Sequence, residues 1–313
     1  MTQLTIIIPF LNEGNEVENT VLSIRETAVT NPIVLLINDG SDDNIDYESV
    51  ATRHNCSYIR NEKRTGSAPS RDIGVAASET PYIMFLDGHM RFYEKGWDEK
   101  LLKLLAENPR SLLCSQTKRL MRNDDGEVVT QEKSRVAYGS YIDLSVEERL
   151  VLKWNYVNVA PHTNLMEIPC VLGAAYACNK DYWVYLSGMK GLLSYGLEEQ
   201  LISIKTWLEG GQCLLVKDWV VGHLYRKSFP YEAPSTEMFY NRLFLLELFF
   251  PYSIKKKYFA GYQNGNTTEF SKVYTLLKNN YKEIKIQKDY LKNISHHKMD
   301  YFLEMNEKIK MLN

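Results

Sequence analysis

Unbroken apolar runs punctuate the first part of the chain, and each ends on a polar cluster. LTIIIP at 4–9 is continuous rather than alternating, which predicts a strand buried on both faces. Asn12 to Asn15 give a turn and a helix start. Val17, Val21, Ile24 and Ala28 follow near helical spacing until Asn31-Pro32 breaks the pattern. IVLLI at 33–37 predicts a second buried strand, ending in Asn38-Asp39-Gly40-Ser41-Asp42-Asp43. A helix around 45–54, a short strand near 57–60 and a helix over 67–79 lead to a third long strand at 81–86.

This rhythm predicts an α/β fold, a mostly parallel central sheet with helices on both faces. Ligands of such sheets bind outside the carboxyl ends of the strands. Three of those ends carry Asn12-Glu13, Asp39 through Asp43, and Asp87-Gly88-His89, so acids converge at one sheet edge. The pattern loosens over 118–168, which reads as an insertion over the site. PCVLGAAYAC at 169–178 is small and apolar, a strand running close to a ligand or to another backbone. A helix is predicted from Glu198 to Glu209, closed by Gly210-Gly211. LLVK at 214–217 predicts a short strand, and 235–250 and 270–292 predict helices.

With 313 residues, 44% hydrophobic and 24% charged, the chain has an ordinary globular balance. A net charge of -2 argues against a nucleic-acid partner. The charge is uneven: Ser253 to Asn313 holds 12 Lys against 6 acids, a local +6. The chain therefore divides into an α/β domain at 1–250 and a basic, mainly helical C-terminal extension at 251–313. That extension could hold an acidic acceptor, contact an anionic membrane surface peripherally, or be a solvated face. Cys56, Cys114, Cys170, Cys178 and Cys213 are odd in number, widely spaced and without a C-x-x-C pair, which suits reduced thiols in a cytoplasmic protein. No run approaches the roughly 18 apolar residues of a membrane helix.

Asp87 and His89 could both turn into a cleft where the strand ends, because Gly88 lets the backbone bend. A carboxylate and an imidazole suit a divalent cation such as Mn²⁺, and His223 in VVGHLYRK is the best further ligand. The same residues could be a turn cap and a surface imidazole. Asp39 could bind a base or a ribose hydroxyl, or close an Asx-turn. Lys63, Arg64 and Arg71 surround a helix start at Gly66, which favours an anion such as a diphosphate, or merely a solvated loop. Glu198 and Glu199 open a helix, where acids are stabilised by the macrodipole whether or not they also face a substrate. Neither G-x-G-x-x-G nor a P-loop motif is present.

Taken in order, IIIPFLNE, INDGSDD, NEKRTGSAPSRDIGVAASETPYIMFLDGH, YGLEEQLISIKTWLEGG and VVGHLYRK resemble a GT-A glycosyltransferase of the family-2 type. The D-x-H form and the V-G-H-x-x-R-K segment are similar to the polypeptide N-acetylgalactosaminyltransferases. The resemblance covers about residues 3–250 and implies a metal-dependent transfer from a UDP-sugar, an N-acetylhexosamine as first guess. The acceptor would be a hydroxyl on a protein, peptide or glycan. It implies Mn²⁺ (or Mg²⁺) held by Asp87, His89 and His223. Asp39 would contact the nucleotide, Pro9 and Glu13 would lie along its base, and Arg71 would sit near the donor. Gly173 and Ala174 would pass under the sugar, Arg226 would lie near the diphosphate, and Glu198 beside the reacting sugar. Amides of the helix start near Gly66 would stabilise charge.

Three positions depart from that pattern: Tyr195 stands for Trp, Leu197 for Gly and Glu199 for Asn. Glu198-Glu199 therefore also resembles the E-D pair of inverting family-2 enzymes, with Glu199 as general base. Retention is the reading of the closer resemblance. A cytoplasmic, bacterial relative is implied. Two rivals are a nucleotidyltransferase, against which the acidic PFLNEGNE at 9–16 argues, and a non-catalytic nucleotide-binding scaffold.

Overall fold

The computed structural model describes residues 2–145, 149–226, 235–265 and 267–313. Its first half follows the predicted alternation: β1 (Leu4–Phe10), α1 (Glu16–Thr27), β2 (Ile33–Asn38), α2 (Tyr47–Arg53), β3 (Ser57–Arg60), α3 (Ser67–Ala77) and β4 (Tyr82–Leu86). The chain continues through β5 (Met90–Phe92), α4 (Trp97–Glu107), β6 (Ser111–Arg122), β7 (Val128–Thr130), β8 (Ser140–Ile142), β9 (Leu152–Trp154), β10 (Leu165–Glu167), β11 (Ala175–Asn179) and α5 (Lys180–Tyr185). It closes with α6 (Glu198–Glu209), β12 (Gln212–Leu224), α7 (Ser235–Phe249), α8 (Tyr252–Gly265), α9 (Thr267–Asn279), α10 (Tyr281–Ile294) and α11 (Met299–Lys310).

The central sheet runs β10-β12-β6-β11-β4-β1-β2-β3, with β5 added to β12 and β7 to β6. Strands β4, β1, β2 and β3 are mutually parallel, as the alternating sequence predicts. Beyond β4 the sheet is mixed: β11 is antiparallel to both β4 and β6, while β12 is parallel to β6. Each long strand is buried on both faces. Ile7 and Phe85 face one apolar cluster, whereas Ile6, Ile8 and Met84 face the other. Gly74 lets α3 lie against β1, since a Cβ there would come within 2.3 Å of Ile7.

Several boundaries differ from the sequence reading for identifiable reasons. Residues 169–174 are not strand; β11 begins at Ala175, and only from there does it pair with β4. LLVK lies in the first half of the 13-residue β12, which continues past Val216 through a register shift against β6. The helical stretch 270–292 is two helices, divided around Asn280. The C-terminal helices pack against the preceding elements: Val273, Ile284, Leu291 and Phe302 share an apolar cluster with α6 and α7. Buried Asn306 of α11 both accepts from Ile142 N (2.7 Å) and donates to Ile142 O (2.8 Å). No helix among the described residues is long and apolar enough to cross a membrane.

Candidate active site

A cavity of about 320 Å³ opens at the carboxyl edge of the sheet, lined among others by Pro9, Glu13, Asp39, Arg71, His223 and Arg226. Topology explains why residues so distant in sequence meet there. Strand β4 ends at Leu86, the chain turns through Asp87-Gly88-His89, and β5 pairs antiparallel with the end of β12, Met90 opposite His223. That pairing sets His89 Nε2 3.1 Å from His223 Nε2, and His223 Nε2 3.3 Å from Asp87 Oδ2. One donor atom from each residue lies within 4.8 Å of the others.

The electrostatics suit a cation. Burial lowers the pKa of both His89 and His223, so neutral imidazoles with a free lone pair are favoured. Burial alone would raise the Asp87 pKa, but the hydrogen bond and charge of His223, with His89 and Arg71, pull it below the usual carboxylate range. His223 Nδ1 is buried without a partner, a polar atom left for water or a ligand shell to satisfy. One carboxylate and two imidazoles form a donor set that fits Mn²⁺. Glu13 supplies the orienting contact. Its Oε2 lies 3.0 Å from His89 Nδ1, which fixes that ring with Nε2 toward the cluster, and it also pairs with Arg226. Glu13 was expected to lie along a base; the structure commits this oxygen to His89 and Arg226.

Asp39 is likewise built into the protein. Its Oδ1 accepts from Asn61 Nδ2 (2.8 Å), Thr65 N (2.8 Å) and Thr65 Oγ1 (2.9 Å), while Oδ2 accepts from Gly66 N (2.7 Å). Only Oδ2 keeps a lone pair for a ligand. Of the amides at this helix start, Gly66 N goes to Asp39, Ala68 N goes to Ser194 O (3.0 Å) and Pro69 has no N–H, while Ser67 lines the cavity. The cations fare differently. Arg64 and Arg71 line the cavity, whereas Lys63 is exposed and does not. Burial acts against the charge of Arg71, but Tyr176, Glu198, Glu199 and Asp87 around it prevail and hold it charged.

Glu198, at the start of α6, is 2% exposed. Its Oε1 accepts from Ser67 Oγ and Arg71 Nη1, and its Oε2 accepts from Gly196 N (2.7 Å). This carboxylate organises its surroundings, since Ser67, Arg71 and Gly196 all bond to it. Glu199 is the contrasting neighbour. It lies against Gly173, where a Cβ would come within 1.8 Å of its Oε1. Burial, then the charge of Glu198, raises its pKa to about 7. Ala174 does not run as strand beneath a ligand; its carbonyl accepts from Asp87 N (3.0 Å) and so holds the metal turn. Leu197 adopts φ 72, which explains why Gly stands there in the family it resembles. The strain, about 1 kcal/mol, is offset because the Leu197 side chain is 7% exposed within the core.

Sequence reading missed the aromatic residues beside the metal cluster. Tyr225 stacks edge-on to His223 (4.3 Å between centroids) and to Trp154 (5.3 Å). Tyr225, Trp154, Tyr156 and Arg135 help line a second cavity of about 330 Å³, which therefore adjoins the first at Tyr225. The signal in the sequence was the pair of aromatics in KWNYVN, of which Trp154 is 45% exposed. Lys227 of VVGHLYRK lies outside the described residues.

A mixed sheet with an Asp-His-His cluster and basic residues in one cleft is the arrangement of a GT-A glycosyltransferase. The chain belongs to glycosyl transferase family 2, whose profile matches residues 5–167. It is 28% identical over 241 residues to polypeptide N-acetylgalactosaminyltransferase 10 of Rattus norvegicus, covering 74% of this chain and 39% of that protein. It is 26% identical over 247 residues to polypeptide N-acetylgalactosaminyltransferase 4 of Caenorhabditis elegans, covering 75% and 40%. The chain thus spans about two-fifths of the length of these relatives. In fold it is similar to a crystal structure of GalNAc-T7 with UDP, GalNAc and Mn²⁺ (TM-score 0.76, 19% identity, 98% of this chain and 57% of that one). It is also similar to S. aureus TarS 1–349 in complex with UDP-GlcNAc (TM-score 0.52, 14% identity, 85% and 74%).

Proposed function

We propose that this chain transfers a sugar, an N-acetylhexosamine in the first instance, from a UDP-sugar to a hydroxyl of a protein, peptide or glycan, with retention. One observation carries the reading: Asp87, His89 and His223 converge in the same cavity as Arg64, Arg71 and Arg226. Asp87, His89 and His223 would hold Mn²⁺ or Mg²⁺, and the bound ion would supply Lewis-acid stabilisation of a diphosphate leaving group. Arg226 and Arg71 add fixed positive charge beside it. Glu198 holds Arg71 and Ser67 in place and orients the sugar side of the cleft. The relatives and neighbours support the donor, because the two solved structures hold UDP with GalNAc and Mn²⁺, and UDP-GlcNAc. A polypeptide acceptor agrees with the names of the curated relatives. The groove of Trp154, Tyr156 and Tyr225 offers apolar faces for such an acceptor.

Glu199 favours a second reading. A carboxylate whose pKa is about 7 is suited to take a proton at neutral pH, as an inverting enzyme requires. Incubation with UDP-N-acetylhexosamines, Mn²⁺ and a Ser/Thr peptide, with the product's anomeric configuration read by NMR, separates the two. An α-linked product from an α-donor supports retention, and a β-linked product supports Glu199 as base. UDP binding without turnover would leave the scaffold reading. We place the chain in the cytoplasm, on the strength of five free cysteines, four of them buried. The exposed Lys282, Lys285 and Lys292 of α10 support a peripheral contact with anionic membrane, which co-flotation with phosphatidylserine vesicles tests.

A further inference from the structure

The segment 193–197, which leads into Glu198, cannot satisfy its own backbone. Ser194, Gly196 and Leu197 have φ of 52, 99 and 72, so neither helix nor strand bonds form there. Buried carbonyls in such a segment need partners from elsewhere. Ala68 N takes the carbonyl of Ser194. The others converge on one side chain, that of Asn241 in α7. Its Nδ2 lies 2.8 Å from Leu193 O, 2.9 Å from Gly196 O and 3.2 Å from Tyr195 O, and its Oδ1 accepts from Leu193 N at 2.8 Å. Asn241 is fully buried, so no water competes for these bonds.

We infer that Asn241 is a positioning residue for the acid end of the cleft, acting through this segment on Glu198 and Tyr195. Gly196, whose carbonyl Asn241 holds, donates its N–H to Glu198 Oε2. Tyr195, whose carbonyl it also holds, lines the donor cavity. Asn241 itself does not line that cavity, so it can change the chemistry without touching the nucleotide. The catalytic consequence rests on the transferase reading above; the positioning does not.

The test compares the wild-type chain with Asn241→Asp and Asn241→Ser. Asp keeps the acceptor for Leu193 N but loses every donated bond, while Ser keeps one donor and serves if the Asp variant fails to fold. Amide hydrogen exchange over residues 193–198 is expected to speed up at least about tenfold in Asn241→Asp, as bonds to a strained segment are lost. The kcat is expected to fall about 10- to 100-fold, as misplacement of a catalytic constellation does, while the UDP Kd measured with Mn²⁺ stays within about twofold. Asn241→Ser should lie between. Unchanged exchange overturns the positioning. Faster exchange with kcat unchanged overturns its catalytic consequence. If the wild type neither binds UDP nor transfers sugar, the transferase reading fails, and the exchange of 193–198 still decides whether Asn241 positions Glu198.

Discussion

The metal cluster and the Glu198 network beside it are built on opposite principles. At the metal end, one donor atom from each of Asp87, His89 and His223 lies within 4.8 Å of the others, and His223 Nδ1 is buried without a partner. At the acid end, Glu198 has both oxygens committed to Ser67, Arg71 and Gly196. The first is a donor set that fits a divalent cation. The second is a finished network whose purpose is shape. The lesson is that an acid in a family's motif can serve by holding others still, while its chain neighbour, Glu199, keeps the open chemistry.

Breaking the finished network should do the most damage. Glu198→Ala leaves the buried Arg71 charge short of a partner and orphans Gly196 N. It is expected to cost about 3 kcal/mol of stability, the usual penalty for removing one member of a buried pair, and to reduce kcat by about a hundredfold or more. Chemical denaturation and steady-state assays check this, and wild-type stability would mean that Glu198 is not the organiser described here. At the metal end, Glu13→Ala is expected to weaken Mn²⁺ binding by about 10- to 100-fold, since the contact orients a ligand without touching the ion. Titration followed by electron paramagnetic resonance reads it, and unaltered affinity would remove Glu13 from that role.

The contrast also explains what could be read from sequence. The metal end was legible because apolar runs locate strand ends, and Asp87, His89 and His223 each stand at or beside one. The parallel half of the sheet was legible for the same reason. The acid end depends on left-handed backbone at Ser194, Gly196 and Leu197 and on Asn241, which lies 43 or more positions further along the chain. No local pattern encodes such a contact. The occupancy of the Gly66 amides was hidden likewise, because it requires Asp39 and Ser194 to arrive from other elements.

A smaller effect is expected where the cleft meets the aromatic groove. Trp154→Ala should raise the acceptor KM about tenfold, the scale of one lost aromatic contact, and leave UDP affinity unchanged. Equal loss for donor and acceptor would join the two cavities into one site. Glu199 is expected to act on stability through pH. Its pKa is raised from 4.5 to about 7, so the folded state favours the proton. That contribution is present at low pH and is lost as pH rises through about 7. Glu199→Gln should therefore stabilise the protein at pH 8 and change nothing measurable near pH 4, as denaturation at the two pH values would read. A gain that is larger at the acidic end would reverse the assigned shift.

The most direct test of the central claim is calorimetric titration of UDP into wild type and His223→Ala, each with and without Mn²⁺. The account predicts binding to the wild type that depends on Mn²⁺, and its loss in His223→Ala. Binding of equal strength with and without the ion, or unchanged by the substitution, would contradict it.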